Sequence, residues 1–351
     1  MKEIEELIDG MEEELKEIRR YFHSHPELSN QEFATDMDAL PVEEENDVPY
    51  RSEQPGVMHA CGHDAHMTVL LGATKVFQTM RDQLSGNVKF FFQPAEETTG
   101  GALRMIQAGC LENPHVDYVL GLHVSSLYEA GSAGVRYGNM MAASDEFTIK
   151  ILGASCHGAH PDQGRDAAVT AGAVLGGIQT LVSRNLSPVN PAVCTVGKIQ
   201  GGTAGNIICS QVTMDGILRS LNPETRQLLR ERLTDMAENT ARAYGCTAQV
   251  VFRPSYPALI NCDEVVDAVK ETACQVLGRD HVTEEREPDL GTEDFSYFAQ
   301  ERPSCFWHLG CADFAGGIDA DLHNCRFDID EKCLAAGVKV QVLSALKLLE
   351  K

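Results

Sequence analysis

The sequence predicts an α/β protein in which a small ferredoxin-like domain of βαββαβ order is inserted into a larger domain. Its 351 residues exceed the roughly 250 to 300 that one hydrophobic core supports, so two domains are expected. Apolar runs alternate with helical patterns near both ends of the chain, which is typical of an α/β sheet, and a middle segment shows the order β-α-β-β-α-β. The predicted boundaries assign 1–144 and 254–351 to the larger domain and 145–253 to the inserted one.

The larger domain is predicted to begin with an amphipathic helix. From Ile4 to Phe22 apolar residues recur at three- and four-residue spacing, and Pro26 ends the pattern. Two continuous apolar runs, 88–92 and 117–124, have the β-branched and aromatic composition of fully buried strands. Further helices are predicted at 67–80, 101–108, 262–277 and 330–349.

The inserted domain is defined by the order of its elements. Strands are predicted at 147–152, 193–199, 212–218 and 249–252, and helices at 167–184 and 223–243. Gly138 precedes this domain, and Pro254 and Pro257 follow it, as expected where a chain passes between domains.

Composition and charge exclude several classes of protein. The chain has 29 Lys and Arg against 52 Asp and Glu, a net charge of −23, and would repel phosphate backbones and anionic lipids. Roles at nucleic acids or membrane surfaces are therefore not expected. The most apolar stretch, 167–182, contains Thr, Gly and Gln, so it lacks the ~18 continuous apolar residues of a membrane span.

The N-terminus and the cysteines favour a cytoplasmic location. The first residues, MKEIEELIDGMEEELKEIRR, are rich in Glu and lack the apolar core of a signal peptide. The 12 cysteines include no CxxC pair, which argues against a zinc ribbon or a thioredoxin-type dithiol. In a reducing compartment most of them are expected to be small buried residues.

Four short segments hold most of the side chains that can bind a metal. They are HACGHDAH (59–66), PAEE (94–97), GLHV (121–124) and DLHN (321–324). Ligands of an open α/β sheet bind outside the carboxyl ends of its strands. Because two of these segments directly follow or end predicted strands, Glu96, Glu97 and His123 are expected to converge there.

The candidate ligands have the chemistry of a site for two divalent ions. Zinc and similar ions accept thiolate, imidazole and carboxylate. Five ligands are too many for one tetrahedral site that keeps a water, but they suit two ions ~3.5 to 4 Å apart, bridged by a hydroxide. Glu96 and Glu97 would point to opposite sides of an extended chain, which leaves one of them as a base. The candidate ligands are Cys61, His63, Glu97, His123 and His323.

Each of these residues also has a structural interpretation. A single loop histidine is more often a hydrogen-bonded structural residue than a ligand. The pair Glu96 and Glu97 could begin a helix, where acidic side chains complement the dipole, and Cys61 could simply be buried. Packing gives no reason for all of these features to occur together, and this favours the metal site.

Several motifs in one order resemble the aminoacylase-like metallopeptidase family. They include FHSHPELS, DMDALPV, MHACGHDAHM, FQPAEE, GLHV, MAASDEF, GGTAGNII, LRSLN, GTEDFSYF and LHN. The resemblance is strongest to the amidohydrolase subfamily of hippurate hydrolases, N-acyl-amino-acid deacylases and plant auxin-conjugate hydrolases. It implies a mixed-sheet catalytic domain with two metal ions and an inserted satellite domain that forms a homodimer.

The resemblance also implies roles for individual residues. Cys61, His63, Glu97, His123 and His323 match the metal ligands, and Glu96 matches the general base. His157 matches a satellite-domain histidine that polarises the scissile carbonyl, although a solvated turn residue is an equal interpretation. Asn206 and Arg219 lie in segments that resemble those contacting the substrate carboxylate. The implied reaction cleaves an N-acyl amino acid, with zinc, manganese, cobalt or nickel as the metal.

The chain departs from the family between FHSHPELS and DMDALPV. The family usually has several dozen residues there, with a helix and at least two strands, whereas 33–35 here run directly into Asp36. This absence is expected to shorten the sheet and to leave a strand edge without a partner. It also affects Asp36 and Asp38, which the resemblance assigns to orienting a metal-binding histidine. This departure leaves open a homologue that binds ligand without turnover. A metal-dependent dipeptidase or aminopeptidase also stays open, because it would share the site for two metal ions.

Overall fold

The computed structural model describes residues 2–29 and 38–350, which form two compact units. The larger unit comprises Met1–Met140, Ile260–Glu287 and Asp294–Lys351, and the smaller unit comprises Met141–Leu259 and Pro288–Glu293. The predicted segment loss at 33–36 and the role of Asp36 fall outside the described residues.

The larger unit contains most of the helices and a mixed sheet. Its helices are α1 (Lys2–Asp9), α2 (Glu12–Ser24), α3 (His63–Thr79), α4 (Ala102–Gln107), α8 (Asp263–Leu277), α9 (Ser296–Glu301) and α10 (Lys332–Leu349). Its sheet has the order β1-β10-β2-β9, formed by β1 (Val119–Glu129), β10 (Ser304–Ala312), β2 (Ala133–Val135) and β9 (Val282–Glu284). Strands β1 and β10 are parallel, and β10 and β2 are antiparallel. Two further short strands, β3 (Gly138–Met141) and β8 (Leu259–Asn261), pair with each other.

The smaller unit has the ferredoxin-like order that the sequence predicts. Its elements are β4 (Ala143–Leu152), α5 (Ala167–Ile178), α6 (Thr180–Asn185), β5 (Ala192–Gly201), β6 (Gln211–Ser220), α7 (Pro223–Ala243) and β7 (Thr247–Pro254). The antiparallel sheet has the order β5-β6-β4-β7. The predicted α/β fold class, with mixed sheets, is confirmed.

Each unit has its own hydrophobic core. In the larger unit, α3, α8 and α10 cover the sheet, and Trp307 and Phe327 are fully buried. In the smaller unit, the core includes Phe147, Ile149 and Leu233, from one face of the sheet and from α7. Among residues 2–29 and 38–350, no helix has both the length and the apolar character needed to cross a membrane.

Two predicted helices are interrupted at or near glycines. The single N-terminal helix is wrong, since α1 ends at Asp9 and α2 begins at Glu12, with Gly10 between them. The predicted helix 167–184 is divided at Gln179 into α5 and α6, and Gly176 and Gly177 lie in the last turn of α5. Glycine costs about 1 kcal/mol relative to alanine inside a helix, so a break at these positions is favoured.

The predicted strand at 88–92 is also wrong. Among the described residues, 88–92 forms no strand and pairs with none, and its side chains are half-buried rather than buried. A strand needs a neighbour to accept and donate its main-chain hydrogen bonds. In the part of the chain that the structure describes, β1 is the edge strand of its sheet, and 88–92 is not paired with it.

Candidate metal centre

Cys61 and His63 lie at the start of α3, on either side of Gly62. Gly62 has a φ of 81°, in the left-handed region, and a β-carbon there would lie 2.3 Å from Cγ2 of Val124. Only glycine allows both this backbone conformation and this close approach. Gly62 thus turns the chain so that two buried, ligand-type side chains stand at the N-terminus of the helix.

His63, which is buried, and His123, which is half-buried, each use one ring nitrogen to bind the main chain. Nδ1 of His123 donates to the carbonyl of Val124 at 2.7 Å, and Nδ1 of His63 donates to the carbonyl of Asp38 at 3.1 Å. Nε2 of His123 then lies 3.5 Å from Sγ of Cys61. Burial, together with the nearby His63, lowers the pKa of His123 to about 3, so its imidazole is neutral, as metal ligation requires.

Asp38 fixes the segment that carries the two glutamates. Its buried carboxylate accepts hydrogen bonds from the main-chain N–H groups of Glu96 at 3.1 Å and Glu97 at 2.6 Å. Burial opposes its ionisation, but contact with His63 and these hydrogen bonds lower the pKa of Asp38 to about 2. Asp38 therefore stays ionised, and its contacts hold His63 and the main chain of Glu96 and Glu97 close together.

The structure corrects the expected geometry of the glutamate pair. Residues 96–99 form a turn, so the two carboxylates do not point to opposite sides of an extended strand, and α4 begins only at Ala102. The helix-start interpretation is therefore wrong. Ala95, just before the pair, has a φ of 59°. Positive φ in a non-glycine residue is uncommon and costly, and such residues cluster at functional sites.

His323 approaches the same place from the last part of the chain. It also has a positive φ, 66°, and its N–H donates to the carbonyl of Ala60 at 2.7 Å. Its Nε2 lies 3.2 Å from Sγ of Cys61 and 3.2 Å from Oε1 of Glu97. That buried Oε1 accepts no well-oriented hydrogen bond from a described residue. A buried oxygen without a donor is what a site for a cation would provide.

The five candidate ligands and Glu96 are thus brought together. Their ligand atoms form three overlapping groups, and within each group the ligand atoms lie within 4.8 Å of one another. The groups are Cys61, His63 and His123; Cys61, Glu97 and His323; and His63, Glu96 and Glu97. Cys61, His63 and Glu97 each belong to two of the groups, so the groups form one continuous cluster large enough for more than one ion. The donor set of thiolate, imidazole and carboxylate suits zinc and similar divalent ions.

Two supporting residues were not identified from the sequence. Nε2 of His66, on α3, accepts the N–H of Val124 at 2.9 Å, and its ring lies 4.4 Å from that of His123. Asp64 is fully buried and binds Arg19 of α2 at 2.9 Å and His23 at 2.7 Å. His66 and Asp64 lie inside HACGHDAH, but only the tertiary contacts reveal what they bind.

The buried ion pair connects α2 to the start of the metal-binding helix. Nη2 of Arg19 also lies 2.9 Å from Oδ1 of Asp328. Burial opposes ionisation of Asp64, but the charge of Arg19 and the hydrogen bond from His23 lower its pKa below the usual range. A depressed carboxylate pKa contributes stability above its unfolded value of about 3.9, and that contribution is lost as the pH falls.

Arg19→Met is expected to lower the free energy of unfolding by about 3–5 kcal/mol, because it leaves the buried charge of Asp64 without its partner. Arg20→Met is the matched control, since Arg20 is 46% exposed and pairs at the surface with Glu331. A surface pair is worth about 1 kcal/mol or less. Urea unfolding of both variants measures the difference, and equal losses would contradict this role of Arg19.

The predicted catalytic residue His157 and the predicted substrate-binding residues Asn206 and Arg219 all lie in the smaller unit. His157 is exposed, and its Nδ1 accepts the N–H of Ala159 at 3.0 Å. The N–H of Gly158 donates to the carbonyl of Asn206, so His157 and Asn206 lie on neighbouring segments. Arg219 lies in β6, where burial lowers its pKa and Asp289 opposes this. The catalytic role of His157 and the substrate-binding roles of Asn206 and Arg219 stay predictions.

Comparison with known proteins identifies the class of enzyme. Residues 33–347 match the family model described as peptidase family M20/M25/M40. The chain is 35% identical to the protein sll0100 of Synechocystis sp., over 96% of each chain, and 33% identical to "Thermostable carboxypeptidase 2" of Saccharolobus solfataricus, over 99% of this chain and 100% of the relative. It is 32% identical to "N-acetyl-L-cysteine deacetylase" of Bacillus subtilis, over 98% of this chain and 90% of the relative.

Solved structures give the same result. A crystal structure from methicillin-resistant Staphylococcus aureus matches with a TM-score of 0.93 at 32% identity, covering 99% of both chains. The YXEP protein of Bacillus subtilis, described as a dinuclear metal binding peptidase, matches with a TM-score of 0.83 at 28% identity, covering 97% of this chain and 99% of that one. The fold, the site and these relatives define a hydrolase of amide bonds. The chain belongs to peptidase family M20/M25/M40, and the resemblance to metallopeptidases of this type is confirmed.

The relatives also differ from this chain in length. The alignment with "Thermostable carboxypeptidase 2" spans 398 positions, more than the 351 residues of this chain. The relative therefore contains residues that have no counterpart here.

Proposed function

We propose that the chain is an amidohydrolase that uses two divalent metal ions to cleave N-acyl amino acids into a carboxylic acid and a free amino acid. The observation that supports it most is the convergence of Cys61, His63, Glu97, His123 and His323 with Glu96 within one cluster. The deacetylase and the dinuclear peptidase among the relatives support the same substrate class and metal number.

The donor set offers enough ligands for two ions. Cys61, His63, Glu97, His123 and His323 would hold them. Zinc, manganese, cobalt and nickel all accept such ligands. Bound there, two such ions would polarise the amide carbonyl and lower the pKa of a shared water from 15.7 toward about 7.

Glu96 is the proposed general base. Its carboxylate lies within 4.8 Å of the ligand atoms of His63 and Glu97, and the hydrogen bond from its N–H to Asp38 fixes its main chain. It takes a proton from the attacking water and then passes it to the departing amine. One carboxylate can perform both transfers, because accepting the proton from water leaves it protonated and able to donate that proton to the amine.

Residues of the smaller unit complete the proposal. The resemblance assigns His157 to the scissile carbonyl, where a donor of this kind contributes about 2.7–4 kcal/mol to transition-state stabilisation. Asn206 and Arg219 are proposed to bind the substrate carboxylate.

We also propose that the chain forms a homodimer through this unit, in which β5 is a largely exposed edge strand that can pair with a second copy.

A panel of substrates tests the proposal. After chelation and reloading with each metal, hippurate and N-acetyl amino acids are expected to be hydrolysed in preference to the dipeptide Leu-Gly. Preference for Leu-Gly would favour a peptidase, which one relative's name also supports. Binding of N-acyl amino acids in isothermal titration without turnover would select the homologue that binds ligand only.

A further inference from the structure

The motif GTEDFSYF (291–298) contains a buried carboxylate that the mechanism proposed above does not use. This is Asp294, which belongs to the larger unit and is fully buried. Burying a carboxylate is costly unless it is hydrogen-bonded. The groups that Asp294 binds therefore indicate what it does.

Asp294 binds both ends of the loop that carries the two glutamates. Its Oδ1 accepts the side-chain N–H of Gln93 at 2.5 Å, and its Oδ2 accepts the main-chain N–H of Ala102 at 3.0 Å. Gln93 directly precedes residues 94–101, and Ala102, the first residue of α4, directly follows them. One carboxylate thus joins the two ends of this segment, the glutamate loop.

The two ends of the glutamate loop also touch each other. A β-carbon on Gly101 would lie 2.0 Å from the carbonyl oxygen of Pro94. Within the loop, the N–H of Gly100 donates to the carbonyl of Ala95 at 2.8 Å, and both residues have positive φ, 75° and 59°. A costly main-chain conformation of this kind persists only where its surroundings hold it. The contacts at the ends of the loop provide such a hold.

Aromatic residues of the same motif anchor it. The ring of Phe295 lies 5.2 Å from that of Phe306 in β10, and a β-carbon on Gly121 of β1 would lie 2.6 Å from it. Phe298 of α9 stacks on Phe91 at 5.6 Å. The motif is therefore fixed both to the sheet and to the segment that leads into the glutamate loop.

Two buried aspartates hold the glutamate loop at different points. Asp38 accepts the main-chain N–H groups of Glu96 and Glu97 inside the loop, whereas Asp294 binds the residues on either side of it. Residues that orient metal ligands from behind typically affect metal affinity or activity by about 10- to 100-fold.

We propose that Asp294 is a positioning residue, which closes the glutamate loop and thereby holds Glu96 and Glu97 at the metal site. The roles of the two glutamates rest on the proposed function, but closure of the loop does not. Asp294 acts here through its two hydrogen bonds rather than through its charge. Asparagine can keep both, since its oxygen accepts one N–H and its amide donates to Gln93 once that side-chain amide is turned over.

The test compares Asp294→Ala with Asp294→Asn in the full chain. Asp294→Ala loses both hydrogen bonds, and hydrogen exchange of 95–102 in the metal-free chain is expected to become about tenfold faster or more. Exchange of β10 is expected to stay unchanged. The affinity for zinc is expected to fall by about 10- to 100-fold. Asp294→Asn is expected to stay within about threefold of the wild-type chain in both measurements.

Turnover gives a further readout. With zinc at saturation, Asp294→Ala is expected to lower kcat by about tenfold or more and to change KM by less than about threefold, because the base and a ligand are misplaced. Ser296→Ala is the matched control, since Ser296 is also buried and its hydroxyl hydrogen-bonds to no described residue. It is expected to change neither exchange, zinc affinity nor turnover.

Several results would overturn the proposal. Unchanged exchange of 95–102 in Asp294→Ala, or equally faster exchange of β10, would show that Asp294 does not act on the glutamate loop in particular. Equal losses in Asp294→Asn and Asp294→Ala would show that it acts by charge or as a ligand. If Asp294→Ala does not fold, Gln93→Ala decides, with a smaller acceleration expected in 95–102 and its absence contradicting the proposal. A wild-type chain that cleaves no N-acyl amino acid would refute the proposed function, while exchange and zinc affinity would still test Asp294.

Discussion

Glu96→Gln is expected to lower the turnover of N-acyl amino acids by about 100-fold or more while the protein keeps its bound metal. The amide has the size of the carboxylate but does not accept a proton from the attacking water. Glu96 is not needed to complete either of the groups that contain Cys61. The measurement combines steady-state hydrolysis with metal analysis of the same sample. Hydrolysis near the wild-type rate would show that Glu96 is not the base.

Glu97→Gln is expected to remove metal and activity together. Glu97 is the only carboxylate in the group with Cys61 and His323, and its buried Oε1 has no well-oriented hydrogen-bond donor in the described chain. The substitution replaces a negatively charged metal ligand by a neutral amide, so it weakens metal binding directly. The loss of metal affinity is therefore expected to exceed the about 10- to 100-fold typical of residues that only orient ligands.

The two variants are matched, since they alter adjacent residues in the same chemical way. They are expected to distinguish the role of a base from that of a metal ligand, because Glu96→Gln retains metal and Glu97→Gln does not. Metal content measured after dialysis at fixed free zinc gives the comparison. Equal metal content in both variants would contradict the assignment of Glu97 as a ligand.

Much of the fold follows from local patterns. The helix predicted at 223–243 matches α7, because Pro223 lies at its first turn and Asn222 caps it by accepting the N–H of Thr225. The βαββαβ order of the smaller unit follows likewise from alternation and turn residues. The run at 88–92 shows the limit of this reasoning. Its composition favours a strand, but a strand forms only where a neighbouring strand is in position to pair with it.

The candidate site was predictable in part. Residue chemistry singled out Glu97 and His123, and the structure brings both into the cluster. The strand-end rule did not hold as expected, because 88–92 forms no strand before Glu97 in the described chain and His123 lies inside β1 rather than at its end. The turn at 96–99 was not predictable from alternation, because hydrogen bonds to Asp38 hold it. Asp64 and Arg19 act through a contact between α2 and α3 that no local pattern encodes.

The most direct test of the account is the metal content of the folded wild-type chain. After incubation with zinc or manganese and removal of excess ions, we expect two ions per chain, whose chelation abolishes hydrolysis and whose return restores it. Circular dichroism on the same sample establishes that the chain is folded. A folded chain that retains no transition metal, or that hydrolyses N-acyl amino acids equally well after complete chelation, would contradict the account.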